Sequence, residues 1–260
     1  MHGAGLQPGT NTIVAAAGHT WKTKLVRSED SGQTWTIVDD DLRNNLFIAF
    51  HPRQTAVVYA DNKKSIDGGK TFTAIPYLQE RDAAIMGMCL SQPDTVYAMD
   101  KQRKAIFRSD DQGGVWREYT RPGWAFCRHD SKPTFAVDPE NRDRVYSIDA
   151  RGDLAVFDGK TWESLGLLDL AGFENPANFV RAVEIDSKQP AIVYAGMHAP
   201  GTSTMWRSTD GGKKWRNITF NLPRLSISGI NINPHSGEVM VSGCCGTWVF
   251  PPPYASTNGM

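Results

Sequence analysis

No stretch of this chain approaches the roughly 20 consecutive apolar residues that a membrane-spanning helix needs. Net charge is missing too. The 28 basic residues balance the 28 acidic ones, which removes the bulk attraction expected of a partner for nucleic acid or for an anionic membrane surface. Cysteine is sparse: four occur in 260 residues, and their spacing offers no good zinc site. Cys89 lies in an apolar segment and reads as a small buried side chain. Cys127 stands alone, and Cys244 and Cys245 are adjacent, where a disulfide would be strained. The opening Met1-His2-Gly3-Ala4-Gly5 has neither the basic nor the apolar region of a secretion signal. Asn217-Ile218-Thr219 matches a glycosylation sequon, a triplet too common to fix a compartment. No metal and no cofactor is expected.

Repetition is what the chain has in abundance. Ser28-Glu29-Asp30-Ser31-Gly32-Gln33-Thr34-Trp35 returns as Ser65-Ile66-Asp67-Gly68-Gly69-Lys70-Thr71-Phe72. Ser109 to Trp116 and Ser208 to Trp215 repeat it without the threonine, and Phe157-Asp158-Gly159-Lys160-Thr161-Trp162 is a shortened copy. Such a phrase suits a tight turn between antiparallel strands. The aspartate folds back onto backbone N–H groups, the glycine accepts positive φ, and the aromatic opens the next strand. Asp30, Asp67, Asp111, Asp158 and Asp210 are therefore expected to be structural staples rather than catalytic carboxylates.

A second phrase keeps the same beat. A polar-Pro corner precedes Val58-Tyr59-Ala60, Val96-Tyr97-Ala98, Val145-Tyr146-Ser147 and Val193-Tyr194-Ala195, and Asn233-Pro234 precedes Val239-Met240-Val241. The turn aspartates fall 37, 44, 47 and 52 residues apart, close to the roughly 40 to 50 residues of a four-stranded propeller blade. The four tyrosines occupy equivalent positions and are expected to pack between blades.

These residues resemble the Asp-box, or BNR-repeat, propellers, a superfamily with the sialidase-like fold that includes sialidases, xyloglucanases, sortilin-type receptors and a photosystem assembly factor. The resemblance runs from about residue 12 to 250 and implies an all-β propeller. Its nearest texture is xyloglucanase-like, through Ile192-Val193-Tyr194-Ala195-Gly196 followed by Trp206-Arg207-Ser208-Thr209-Asp210-Gly211-Gly212. Those enzymes set two large propellers across a cleft, whereas this chain has length for one. No Arg-Ile-Pro signature is present, so sialidase activity is not expected. The family also implies an extracellular or periplasmic setting.

The expected organisation is a single propeller domain of about six four-stranded blades, over roughly 10–40, 45–78, 84–120, 132–166, 179–220 and 226–250, with 251–260 as a tail. Inner strands are expected at 47–50, 85–90, 133–137, 180–185 and 227–232. The first blade shows no inner strand and the last no outer one, giving 22 strands where six full blades need 24. Pro251-Pro252-Pro253 cannot continue a central strand. An incomplete blade leaves an edge that a neighbouring chain could complete.

Within a blade, the turn between the first two strands and the turn between the last two share one end. The loops at the opposite end vary from blade to blade, and that is where function usually sits on a repeated scaffold. They carry His19, Trp21, Asp61, Asp100, Asp149, Arg151, His198, Cys244 and Cys245 between second and third strands. Between blades they carry Arg43, Arg81, Asp82, Trp124, Arg128, His129, Asp130, Asn175, Asn178 and Arg224. His19, Trp21, Arg81, Asp82, Trp124, Arg128, Arg151 and His198 are the expected ligand contacts. Carboxylates among indole rings suit a sugar, although an aspartate after a Val-Tyr-Ala strand is also an ordinary turn starter.

Three roles follow. The first is a non-catalytic recognition or assembly module for a glycan or protein partner, favoured by the absence of a sharp catalytic motif. The second is a glycoside hydrolase using two of Asp61, Asp100 and Asp149, which requires suitably spaced carboxyl groups, one of them raised in pKa. The third is a structural subunit completed through an edge strand.

Overall fold

The computed structural model describes residues 3–19, 22–42, 47–100, 105–120, 134–149, 151–172, 179–199, 202–220, 222, 227–243 and 246–250. They build an all-β propeller of six antiparallel sheets, each a meander in chain order. The chain divides into two compact units, residues 1–121 with 129–132 and residues 122–128 with 133–260.

The first unit holds three sheets. Blade 1 is β1 (Ala4–Leu6), β2 (Ile13–His19), β3 (Lys22–Ser28) and β4 (Thr36–Leu42). Blade 2 is β5 (Ile48–Phe50), β6 (Val58–Ala60), β7 (Lys63–Ser65) and β8 (Thr73–Ala74). A helical turn, α1 (Pro76–Glu80), precedes blade 3, which is β9 (Ala83–Met88), β10 (Val96–Asp100), β11 (Ala105–Ser109) and β12 (Arg117–Thr120). The second unit opens with blade 4: β13 (Phe135–Val137), β14 (Val145–Ile148), β15 (Leu154–Phe157) and β16 (Trp162–Ser164). After α2 (Leu167–Leu170) comes blade 5, with β17 (Phe179–Ile185), β18 (Val193–Ala199), β19 (Thr202–Ser208) and β20 (Arg216–Asn217). Blade 6 is β21 (Ile227–Ile232), β22 (Val239–Gly243) and β23 (Gly246–Phe250), three strands among the described residues.

Two expectations need correction. Blade 1 is complete, because β1 pairs with β2 through Ala4↔Ala15, Gly5↔Val14 and Leu6↔Ile13. The described strands thus number 23 rather than 22. A Cβ on Gly5 would lie 3.1 Å from the Ile48 carbonyl oxygen, so the glycine lets β1 approach blade 2, and it also hides the strand from a reading based on β-formers. Two short helical turns also stand between blades where only loops were expected. α1 starts on Pro76, which costs no hydrogen bond at a first helical position, and buries Leu78.

The repeated turns fold as their residue types demand. In blade 5, Ser208 Oγ donates to Asp210 (2.8 Å) and accepts the N–H of Gly212 (2.8 Å), while Asp210 accepts the N–H of Lys214 (2.8 Å). Blades 1, 2 and 3 repeat this set on Ser28 and Asp30, Ser65 and Asp67, and Ser109 and Asp111. Asp158 keeps the N–H bonds of Lys160 and Thr161. The residue after the aspartate has positive φ at Ser31, Gly68, Gln112 and Gly211. Its N–H reaches the first corner of its own blade, at the carbonyls of Asn11, Ala56, Asp94 and Ala191 respectively. Both turns of those sheets therefore lie at one end.

The carbonyl of that same residue joins neighbouring blades. Tyr59 Oη and Lys64 Nζ of blade 2 both donate to Gln112 of blade 3, at 3.3 and 3.0 Å. Arg27 Nε of blade 1 donates to Gly68 of blade 2 at 2.9 Å, and Tyr146 Oη of blade 4 to Gly211 of blade 5 at 3.0 Å. Tyr59, Tyr97, Tyr146 and Tyr194 are all buried. Apolar side chains fill the space between sheets. Ile85, Leu78, Phe107 and Trp116 gather around Tyr59 in the first unit, and Leu154, Val180 and Met197 around Tyr146 in the second. At Gly69 a Cβ would sit 2.6 Å from Val14 Cγ2, so blade 2 can close on blade 1 only through glycine.

Two outcomes follow from this geometry. Ser208→Ala leaves the Gly212 and Asp210 N–H groups without their buried acceptor and lowers unfolding free energy by about 1–2 kcal/mol, read by denaturant titration. Acid should weaken the fold as well. The Thr34 hydroxyl holds Asp30 below the ordinary value of 3.8, the Ser109 hydroxyl does so for Asp111, and the Lys214 N–H for Asp210. At Asp67 burial pushes upward, and the Thr71 and Ser65 bonds outweigh it. Each folded-state value lies below the unfolded one, so this stability is whole above pH of about 4 and is lost as pH falls further. Melting temperatures across that range, flatter in Asp67→Asn, would check it.

Candidate functional site

The loops opposite the repeated turns were the expected site, and in the first unit they are occupied mainly with holding structure. Asp61 opens the two-residue hairpin loop between β6 and β7, where its φ of +56° suits the required left-handed residue. It is 2% exposed, and its carbonyl accepts the Ile85 N–H of blade 3. Asp100 ends β10 and accepts the Ala105 N–H at 3.1 Å. Asp82 has φ +47° just after α1, and its N–H closes on Gln79. Arg81 stacks over the Tyr77 ring at 3.7 Å and donates to the Tyr77 carbonyl. Tyr77 in turn stacks on Trp116. A contact that sequence reading missed is Lys63, whose Nζ meets both carboxylate oxygens of Asp39 at 2.7 and 2.8 Å and the Asp41 carbonyl at 3.0 Å.

In the second unit, chemistry gathers around the loop from β14 to β15. Asp149 accepts the N–H of Arg151 (2.8 Å) and of Asp153 (3.0 Å), making it a turn staple. Arg151 projects outward with its side chain 58% exposed and grips Asp169 of α2 with both terminal nitrogens, at 3.3 and 3.1 Å. The Gly152 carbonyl accepts the Val180 N–H at 2.8 Å, which ties this loop to the start of β17. There Phe179 lies across from His198, their rings 5.3 Å apart. Arg151, Asp169, Phe179 and His198 thus stand on connected elements, an ion pair beside an aromatic pair.

Asp153 was also missed. It is fully buried, and its Oδ1 accepts the N–H groups of Leu154, Leu167 and Leu168 at 2.8, 3.0 and 3.1 Å. α2 is preceded by Gly166, which has no side chain to cap it. Asp153 supplies the cap from a distant loop. Burial pushes its carboxyl above the ordinary range, and the Leu168, Leu154 and Ser164 bonds only partly offset this. A glycine before an apolar helical turn, with an aspartate upstream at a strand start, was the available signal.

The remaining candidates give less. His19 ends β2, but its side chain, like Trp21, Trp124, Arg128, Arg43, His129, Asp130, Asn175, Asn178, Arg224, Cys127, Cys244 and Cys245, lies outside the described residues. Cys89 is buried, with its thiol 3.5 Å from the Ser91 hydroxyl. Among the described residues no group of His, Cys, Asp and Glu is arranged to hold a metal ion, and no helix is long and apolar enough to cross a membrane.

Asp153 makes a prediction with opposite sign to the turn aspartates. Its folded-state value is raised, so the ionised carboxylate costs stability at neutral pH and that cost fades as pH falls. Asp153→Asn keeps the acceptor and should match or exceed the parent at pH 7. Asp153→Ala should lose about 2 kcal/mol and fray α2. Thermal melts with amide exchange at Leu167 and Leu168 separate the two.

No family model matches the chain, and no curated protein matches it in sequence. Solved structures do match. A GH74 xyloglucanase from Xanthomonas campestris gives a TM-score of 0.72 at 16% identity, covering 95% of this chain and 44% of that one. An ancestral GH74 enzyme gives 0.72 at 14%, covering 97% and 37%. YCF48 bound to D1 peptide gives 0.67 at 15%, covering 100% and 79%. The chain spans less than half the length of the two GH74 enzymes, and identities this low carry the fold alone.

Proposed function

We propose that this chain is a non-catalytic recognition module of the Asp-box propeller type. It binds an extended polypeptide on the loops opposite the repeated turns, with Arg151, Asp169, Phe179 and His198 as its contact group. The observation that carries this reading is what the three candidate carboxylates do. Asp149 is held by two backbone N–H groups, Asp100 takes the Ala105 N–H, and Asp61 is buried in a hairpin loop. A hydrolase needs two carboxyl groups facing substrate, one kept protonated. Among the described residues Asp153 is a carboxyl that burial raises, and it is fully buried as a helix cap. Arg151 and Asp169 offer an exposed charge pair to a partner's polar groups, and the Phe179–His198 pair offers apolar faces. One of the structural neighbours is a propeller solved with a peptide bound, which favours a polypeptide over a glycan.

The hydrolase reading keeps one support, the likeness to GH74 xyloglucanases. Panning a displayed random-peptide library on the whole chain, with a glycan array and a xyloglucan hydrolysis assay beside it, decides between them. Peptide clones should emerge whose affinity falls at least about tenfold, or about 1.4 kcal/mol, in Arg151→Ala and in His198→Ala. Release of reducing sugar, or glycan binding untouched by those changes, would overturn the proposal.

A further inference from the structure

Blade 6 departs from the other five sheets at one edge. Among the described residues β23 pairs with β22 alone, while the third strand of every other blade carries a fourth. The register shows which groups this leaves. In blades 2, 4 and 5 the residue three before the end of the paired third strand is Asn62, Leu154 or Met205. Its carbonyl accepts an N–H from the segment that follows, donated by Ile75, Leu165 and Ile218 respectively, each at 2.8 Å. Val239↔Phe250 aligns blade 6 with Val193↔Ser208 of blade 5, so Thr247 holds this place in β23. N–H and C=O of one residue point to the same side of an antiparallel strand, and alternate residues share that side. Thr247 and Val249 therefore present a ladder outward.

The flat face of the sheet is altered as well. The directly opposed pair Tyr59↔Lys64 of blade 2, Tyr97↔Arg108 of blade 3 and Tyr194↔Arg207 of blade 5 becomes Met240↔Val249 in blade 6. The tyrosines there are buried, but Met240 is 36% and Val249 58% exposed. On the other face Trp248 and Phe250 pack against Ile218 and Ile227. An edge with one packed and one exposed apolar face and, among the described residues, an unfilled ladder is a template for another strand.

We propose that the outer edge of β23 is a docking site for an extended segment of a partner protein. That segment adds an antiparallel fourth strand and places apolar side chains on alternate residues beside Trp248 and Phe250. The occupant is read from the molecule itself, since a fourth strand covers this edge in five sheets out of five. Those strands or the turns leading to them carry an aromatic there, as with Trp35, Phe72, Trp116, Trp162 and Trp215. The site is separate from the loop contacts of Arg151, so either proposal can fail alone.

The test uses the whole chain and synthetic peptides copying its own turn and fourth-strand segments, residues 30–42, 67–78, 111–120, 158–166 and 210–219. Amide exchange is followed at Thr247 and Val249. In the protein alone these amides should exchange at least about tenfold faster than Met205 and Arg207 of β19, which face the paired fourth strand, and peptide should slow them by a similar factor. Thr247→Pro removes an outward N–H while sparing the pairing with β22 and should abolish the effect. Val249→Lys, a charge at the edge, should weaken it without altering the fold. The proposal is overturned if Thr247 and Val249 are already as protected as β19, if the chain self-associates through this edge, or if none of the peptides slows exchange.

Discussion

The residue that follows the turn aspartate in blades 1, 2, 3 and 5 is held by its backbone. Its N–H is bound to the first corner of its own blade, and its carbonyl, where the neighbour supplies a donor, to the preceding blade. A residue doing both must turn its backbone into the left-handed region, so Gly68 and Gly211 are glycines and Ser31 and Gln112 tolerate the same φ. The Ser-Asp bonds behind it exist to fix that residue. A buried polar joint of this kind is costly to leave half made, which explains why serine, aspartate and glycine recur together rather than singly.

The same joint explains the second repeat. Tyr59 and Tyr146 are long enough to bring a hydroxyl to the neighbouring carbonyl through an otherwise apolar layer, and their rings fill that layer. Burial pushes both phenols upward in pKa, so they stay protonated as donors. In blade 1 the corresponding residue is Val14, and contact is made instead by Gly69 closing on its methyl, with Arg27 supplying the polar bond. His51 shows a similar exchange of parts. Its Nδ1 accepts the N–H groups of Arg53 and Gln54, as the carboxylates of Asp138 and Asp186 do at their corners, while its Nε2 faces Asp94 of the next blade at 3.2 Å.

What could be read from sequence was whatever is repeated. The turn aspartates and buried tyrosines could be recognised because each is one solution used several times. β1 escaped because Ala4-Gly5-Leu6 is defined by proximity to Ile48 rather than by strand-forming residues. α1 and α2 escaped because one helical turn has no period to detect. The candidate site was the least legible part, since it lies in the unrepeated loops. Asp61, Asp100 and Asp149 carried the right chemistry for catalysis, yet a carboxylate after a strand is equally the right chemistry for a turn. Only geometry distinguishes the two. Asp153, whose carboxyl burial raises, takes the place of Asp61 in blade 2, but its helix partner is 14 residues away, beyond any local pattern.

The two ends of the sheets are joined by different means. Turn peptides and tyrosines make the joints at one end, and at the other the carbonyls of Asp61 and Gly152 accept the N–H groups of Ile85 and Val180 in the next blade. Arg151 is exposed and bound to Asp169 on a turn that Asp149 already holds, which preorganises it and lowers the entropy lost on meeting a partner. The edge of β23 follows the opposite rule. There the repeated bonds stop, and Met240 and Val249 replace a tyrosine and a cation with side chains that can neither bond to water nor reach a carbonyl. A surface built that way gains most from being covered, because burying it removes apolar area from water and fills an empty ladder in the same step.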